Sequence, residues 1–285
     1  MKNKKPLLIV LGEPNSIFSE LLFKFYKRKI IQKFNRPVVI IGSENLLKLQ
    51  MKFLKYSIKI NKINSLNFKK LNFNKKNINI FNVEYKFKKT FDKISNNSNK
   101  YINDCFKIAI KLLKENSAFG LINGPVSKTH FLEKKYLGVT EYLASKTKNK
   151  KKPTMLIYNP AFSVCPITTH LPINHVTKNL TKNKILNDVM NINNFYKNKL
   201  NIKPKISILG LNPHCESIEK LSEEKKIIKP AIKSLISKKI DIKGPFSADT
   251  FFTKKNLTHF DIAVGMYHDQ VLTPMKTIFN FNAIN

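Results

Sequence analysis

The run Leu7-Leu8-Ile9-Val10-Leu11 passes directly into Gly12-Glu13-Pro14-Asn15 and then Ser16. A short, unbroken apolar run closed by a Gly/Pro turn reads as a buried strand. Ser16 is placed to cap a helix, which the pattern carries to about Phe34. The same alternation recurs downstream. A second strand is expected over 37–41, ending at Gly42, with Ser43 capping the next helix. A helix is expected over 99–114, with Ile102, Phe106, Ala109, Ile110 and Leu113 on one face. Further strands are expected over 118–122, 154–158, 162–169, 206–209 and 262–264, with helices in 174–199 and 222–237. Between 57 and 100 the chain is rich in Lys and Asn with weak periodicity, which predicts short strands and a variable surface loop. Strand alternating with helix argues an α/β fold, and 285 residues suffice for one large domain or two lobes.

The formal net charge of +34 invites a nucleic-acid reading. Its make-up argues against one. Only Arg28 and Arg36 are arginines, and arginine is the residue that reads and stacks on bases. The lysines are spread among Asn, Ile and Phe, a mixture typical of AT-rich coding, and predict a solvated surface with no nucleic-acid partner. Such a surface still favours a phosphorylated substrate. No apolar run is long enough to span a bilayer, and the N-terminal run is too short for a signal peptide, so no membrane partner and a cytoplasmic location are expected. Cys105, Cys165 and Cys215 form no Cys-x-x-Cys pair, which excludes a zinc ribbon or dithiol motif. Cys105 and Cys165 are expected to be buried thiols. Cys215, beside a histidine, is also open to a ligand or nucleophile role.

Three histidines stand in turn-rich contexts after short apolar runs. They are His170 in Ile167-Thr168-Thr169-His170-Leu171-Pro172, His214 in Gly210-Leu211-Asn212-Pro213-His214-Cys215, and His268 in Gly265-Met266-Tyr267-His268-Asp269-Gln270. Three imidazoles at strand ends suit a divalent metal with open positions; three separately hydrogen-bonded histidines are the plainer alternative. His130 and His175 fall in expected helices and His259 in a polar turn. Asn123-Gly124-Pro125-Val126-Ser127-Lys128 reads as a strand-to-helix turn, where a helix start and the Lys128 ammonium would suit an anion. In Gly244-Pro245-Phe246-Ser247-Ala248-Asp249-Thr250, Asp249 would orient a ligating histidine or cap a helix, and Asp269 carries the same two readings. Neither a P-loop nor a Gly-x-Gly-x-x-Gly fingerprint is present.

Together, the Gly-Leu-Asn-Pro-His motif at 210–214, Gly-Pro-x-x-Ala-Asp-Thr-x-Phe at 244–252 and Met-Tyr-His-Asp-Gln at 266–270 resemble the 4-hydroxythreonine-4-phosphate dehydrogenase family of vitamin B6 synthesis. Gly12-Glu13-Pro14, Asn123–Lys128, Gly138-Val139-Thr140-Glu141-Tyr142-Leu143-Ala144 and Thr169-His170 fit in the same order. The resemblance implies a two-lobed α/β/α fold like that of isocitrate and isopropylmalate dehydrogenases, acting as a homodimer with a site shared between subunits. On that basis residues 1–130 with 245–285 are expected to form one lobe, and 131–244 a second lobe with dimer contacts. The resemblance implies a divalent cation (zinc, cobalt, magnesium or manganese) on His170, His214 and His268, with NAD as hydride acceptor. Substrate contacts map onto Thr140, Lys276 and Asn285; Lys128 is a further candidate substrate contact, and Lys276, Asp249 and Asp269 are the candidate catalytic residues.

The implied reaction oxidises and decarboxylates 4-phosphohydroxy-L-threonine to 3-amino-2-oxopropyl phosphate. Val139 stands where the family has a histidine, which keeps 4-phosphoerythronate and 4-phosphothreonate as alternative substrates. The opening turn, Glu13-Pro14-Asn15-Ser16-Ile17-Phe18-Ser19, also departs from the family's glycine-rich one. A closing family segment with a substrate-binding arginine would follow Asn285, so the chain is expected to be shortened there. A three-histidine metallohydrolase and an inactive shortened homologue are the remaining alternatives.

Overall fold

Two parallel sheets, each built from runs of Leu, Ile and Val, organise the chain. The computed structural model describes residues 4–64, 73–133, 135–136, 138–147, 153–216 and 222–285. The chain divides into two compact units, Met1–Lys151 and Lys152–Asn285.

The first unit comprises β1 (Leu7–Val10), α1 (Phe18–Lys27), β2 (Val38–Gly42), α2 (Glu44–Phe53), β3 (Ile60–Ile63), β4 (Ile78–Asn82), α3 (Asn99–Lys114), β5 (Gly120–Asn123) and α4 (Val139–Lys146). Its strands lie in the order β3-β4-β2-β1-β5. β1 sits inside the sheet and helices cover both of its faces, which accounts for its unbroken apolar run. Leu8 and Val10 pack with Val39, Ile41 and the α3 residues Ile102 and Phe106. Ile9 and Leu11 pack on the opposite face with Phe23 of α1 and Leu47 of α2. The Ser43 hydroxyl caps α2 by accepting from the Leu46 N–H at 3.4 Å. α1 stops at Lys27 instead of reaching Phe34. Lys29 takes a left-handed backbone (φ 56°) that ends the helix, and a short turn at Ile31–Lys33 follows.

The second unit comprises β6 (Ser163–Thr168), α5 (Val176–Asn179), α6 (Lys182–Phe195), β7 (Ile206–Leu209), α7 (Lys229–Ser237), β8 (Ile242–Phe246), α8 (Ala248–Phe251), α9 (Lys254–His259), β9 (Ile262–Tyr267) and α10 (His268–Phe279). Its strand order is β6-β9-β7-β8, all parallel. Ile185 and Val189 of α6 and Ile232 and Leu235 of α7 cover one face, against Ile167, Ile208 and Val264. Val271, Leu272 and Met275 of α10 cover the other, against Val164, Leu209 and Ala263. Each unit is therefore a helix–sheet–helix sandwich, as the α/β/α expectation required.

The division of the chain differs from the discontinuous one expected. Residues 245–285 belong to the second unit. β9 inserts between β6 and β7, and α10 buries its apolar face on the same sheet. The strand expected over 154–158 reduces to two isolated antiparallel bridges, Ile157 with Val164 and Tyr158 with Ile284. His130 and His259 exchange expectations: His130 lies in a turn and His259 ends α9. Cys105 and Cys165 are buried free thiols, and burial pushes the Cys105 thiol up to about 12. Among the described residues no helix is long and apolar enough to cross a membrane.

Candidate active site

Each of the three histidines follows the carboxyl end of a parallel strand. His170 lies just past β6, His214 sits in the short turn Pro213–Cys215 after β7, and His268 is the first residue of α10, directly after β9. Because β9 lies between β6 and β7, the strand order brings the three carriers side by side. Open α/β sheets place their ligands at this edge. The His170 and His268 rings are 5.6 Å apart between centroids and tilted by 38°. With a metal–nitrogen bond of about 2.1 Å, two imidazoles on one ion have centroids roughly 5–6 Å apart. His170 (φ 41°) and His214 (φ 54°) both occupy the left-handed backbone region.

Two carboxylates stand beside these rings. His268 Nδ1 lies 2.6 Å from Asp269 Oδ1, and His214 Nδ1 lies 3.8 Å from Asp249 Oδ2. Asp249 also accepts from the Ser247 hydroxyl at 2.6 Å. That hydrogen bond first, and the neighbouring His214, hold its carboxyl below the usual range. Among the described residues no three His, Cys, Asp or Glu side chains converge on a point where an ion would sit. The donor chemistry and the His170–His268 pair fit a metal, while His214 is turned toward Asp249. Cys215 beside it is a poor thiolate, because burial raises its thiol above the ordinary value.

Beneath the histidines lies a set of buried polar side chains that sequence reasoning did not single out. The Thr168 hydroxyl donates to the Met266 carbonyl at 2.7 Å. Gln270 Oε1 accepts from the Met266 N–H at 2.7 Å, while its Nε2 donates to the Gly210 carbonyl at 2.8 Å. The buried Glu224 carboxylate accepts from the Leu211 and Asn212 N–H groups at 2.8 Å each and from Asn212 Nδ2 at 2.9 Å. Burial would raise the Glu224 carboxyl, but hydrogen bonds from Asn212 and Leu211 outweigh it and hold the group below its ordinary value. A signal was present for one of the three: Gln270 closes the Met-Tyr-His-Asp-Gln motif.

The expected substrate contacts divide between the units. Lys128 and Thr140 belong to the first, Lys276 and Asn285 to the second. Thr140 is the second residue of α4. Lys128 is exposed in a turn after β5, and no helix starts there; Phe131 and Leu132 instead bond back to the Ser127 carbonyl. The anion-binding helix start expected at Asn123–Lys128 is therefore absent. The break comes from turns closing on Ser127, whose hydroxyl also takes the His130 N–H at 3.1 Å. Lys276 is exposed on α10, about 12 Å along the helix axis from His268. A cavity of ≈ 600 Å³ in the first unit, lined by Lys27, Lys55, Tyr26 and Tyr56 among others, includes none of these residues.

A family model described as pyridoxal phosphate biosynthetic protein PdxA matches residues 33–285. A 4-hydroxythreonine-4-phosphate dehydrogenase from Sulfurihydrogenibium sp. (strain YO3AOP1) is 36% identical over 283 residues, covering 98% of this chain and 85% of that relative. One from Bacteroides thetaiotaomicron is 28% identical, covering 100% and 78%. Solved structures of enzymes of that name show the same fold. The Burkholderia phymatum structure has a TM-score of 0.83 at 22% identity, covering 97% of this chain and 84% of that one. The Klebsiella pneumoniae structure has a TM-score of 0.82 at 22% identity, covering 97% and 85%.

Proposed function

The chain belongs to the pyridoxal phosphate biosynthetic protein PdxA family, and on that premise we propose that it is a 4-hydroxythreonine-4-phosphate dehydrogenase. In this reading it oxidises 4-phosphohydroxy-L-threonine at C3 and releases CO2 to leave 3-amino-2-oxopropyl phosphate. The observation that carries the reading is the delivery of three imidazoles by the carboxyl ends of three adjoining strands.

His170, His214 and His268 would hold a divalent cation. A second copy of the chain completing the site, as the family resemblance implies, accounts for the trio not converging within one chain. When bound, the cation would supply Lewis acidity at the substrate's hydroxyl, and NAD would accept hydride. Asp269, at 2.6 Å from His268 Nδ1, draws the ring proton to that nitrogen and leaves Nε2 as the ligand atom. Asp249, 3.8 Å from His214 Nδ1, lies beyond hydrogen-bond distance and would act on that ring only as a nearby charge. The Thr140 hydroxyl and the Asn285 amide would donate to the substrate's oxygens. The ammonium groups of Lys276 and Lys128 would hold its phosphate and carboxylate.

Val139 favours a second reading on substrate choice. It packs against the first unit's core immediately before Thr140, and so offers no polar group where the family has an imidazole. 4-Phosphoerythronate and 4-phosphothreonate are the substrates to compare. The test is NADH formation, followed by absorbance, with each substrate and with or without added metal. Metal-dependent NADH from 4-phosphohydroxythreonine is the expected result. Phosphate release without NADH would replace the reading with a hydrolase, and metal binding without turnover of any of the three would leave an inactive homologue.

A further inference from the structure

We propose that Thr168, Gln270 and Glu224 act as one positioning chain that fixes the spacing of the three histidine-bearing strand ends. This rests on the metal reading of those histidines. The backbone ladder alone does not fix that spacing. β6 and β9 stay paired as far as Thr168 and Tyr267, but β7 pairs with β9 only through Ile206, Ser207 and Ile208. Beyond Ile208 no ladder bond between these strands sets where the His214 turn lies relative to His268. Gln270 spans that gap, with one end on the Met266 N–H and the other on the Gly210 carbonyl. Thr168 holds the Met266 carbonyl from the β6 side, so both polar groups of Met266 are fixed just before His268. Glu224 then takes the two N–H groups that follow Gly210 and turns the chain toward His214.

The backbone makes room for this chain. A Cβ on Gly265 would sit 2.9 Å from Gln270 Oε1, and one on Gly210 would sit 3.2 Å from Glu224 Oε1. All three side chains are buried, and Glu224 has no exposed surface at all. A carboxylate there is costly unless it is hydrogen-bonded, and Glu224 accepts three hydrogen bonds. Ser207 supplies the contrast. It makes an equally buried bond between β7 and β9, from its hydroxyl to the Ile262 carbonyl at 2.9 Å, but at the opposite end of the strands.

The test titrates the chain of residues 1–285 with Co2+ by calorimetry, alongside melting curves, for the native sequence and for Gln270→Met, Thr168→Val and Ser207→Ala. Removing groups that orient metal ligands weakens metal binding about 10- to 100-fold. Gln270→Met is expected to fall in that range, Thr168→Val to lose about 10-fold, and Ser207→Ala to bind Co2+ like the native chain despite a comparable fall in melting temperature. If Gln270→Met does not fold, Thr168→Val decides. Native affinity in folded Gln270→Met and Thr168→Val overturns the positioning chain. So does an equal loss in Ser207→Ala, which would make the effect one of stability alone. A native chain that binds no Co2+ overturns the metal reading itself and this inference with it.

Discussion

His214→Gly separates what the backbone wants at that position from what the imidazole does there. His214 has φ 54°, a conformation that costs an L-residue about 1–2 kcal/mol and costs glycine nothing. Glycine's greater freedom in the unfolded chain takes back about 0.5–1 kcal/mol. The side chain is 75% exposed, so its removal forfeits little burial, and an exposed contact with Asp249 at 3.8 Å contributes little. The net is a stabilisation of about 0.5–1 kcal/mol, or roughly 2–5 °C in melting temperature for a unit of this size. Metal binding is expected to move the other way, because one of three ligands is gone. His214→Ala, which keeps the strained backbone, is expected to lose stoichiometric metal without the gain in stability. Melting in the presence of a chelator, together with Co2+ titration, reads both effects. Native Co2+ affinity in His214→Gly would remove His214 from the site. A fall of several degrees in the chelated melt would show that the imidazole holds the fold, and the backbone argument would be wrong.

Other consequences are open to measurement. Glu224 has a folded value below its ordinary one, so its contribution is full above about pH 4.5 and is lost as pH falls through the lowered value. The urea midpoint of Glu224→Gln is therefore expected to depend less steeply on pH below that point, and an unchanged slope would reject the assignment. Gly210→Ala puts a Cβ 2.6 Å from Cys215 Sγ and is expected to cost about 1–3 kcal/mol in urea unfolding. Adding Cys215→Ala should recover part of that loss, and no recovery would mean that the strain lies elsewhere. Ser43→Ala removes the α2 cap and is expected to cost about 1 kcal/mol in urea unfolding, with no effect on Co2+ binding; weaker Co2+ binding would contradict the placement of Ser43 in the first unit alone.

The sequence was most readable where one local rule decides the outcome. β7 at 206–209 and α3 at 99–114 fall where their apolar patterns put them, and Ser43 caps the helix it precedes. The failures share a cause in tertiary context. Nothing in Lys29 announces a left-handed residue, yet it ends α1. Strand order is a matter of crossover, so the placing of β9 between β6 and β7 could not be read from 245–285 in isolation. The site shows the same split. Gly, Pro and His in short turns mark strand ends, and the histidines were found through them. Glu224 lies in Ser222-Glu223-Glu224-Lys225-Lys226, which reads as a solvated helix face. Only the fold, by bringing the Gly210–Asn212 backbone over it, makes it a buried acceptor.

Left-handed backbone alone does not mark the site in this chain. With only 8 glycines, it also uses Glu133, in a turn, and six further residues, Lys29, Lys55, Asn116, Asn201, Lys239 and Asn280, at positive φ. Those six close helices, where a left-handed residue frees the last carbonyls to be bonded and the strain is offset locally. His170 follows β6, while His214 and Cys215 lie in the short turn after β7, where the Cys215 and Glu216 N–H groups bond back to the Asn212 and Pro213 carbonyls. What faces the strain there is the buried polar layer: Thr168 two residues before His170, and Glu224 on the backbone leading to His214. The turns are thus held from beneath by Thr168, Gln270 and Glu224, which bond the backbones of Met266, Gly210, Leu211 and Asn212, and the imidazoles are left on the outer side. A chain needing only a stable sheet edge would do better with glycine at 170 and 214 and apolar residues at 168, 224 and 270. The arrangement makes sense when the imidazoles must stand at set positions, which is the requirement a metal-dependent oxidation imposes.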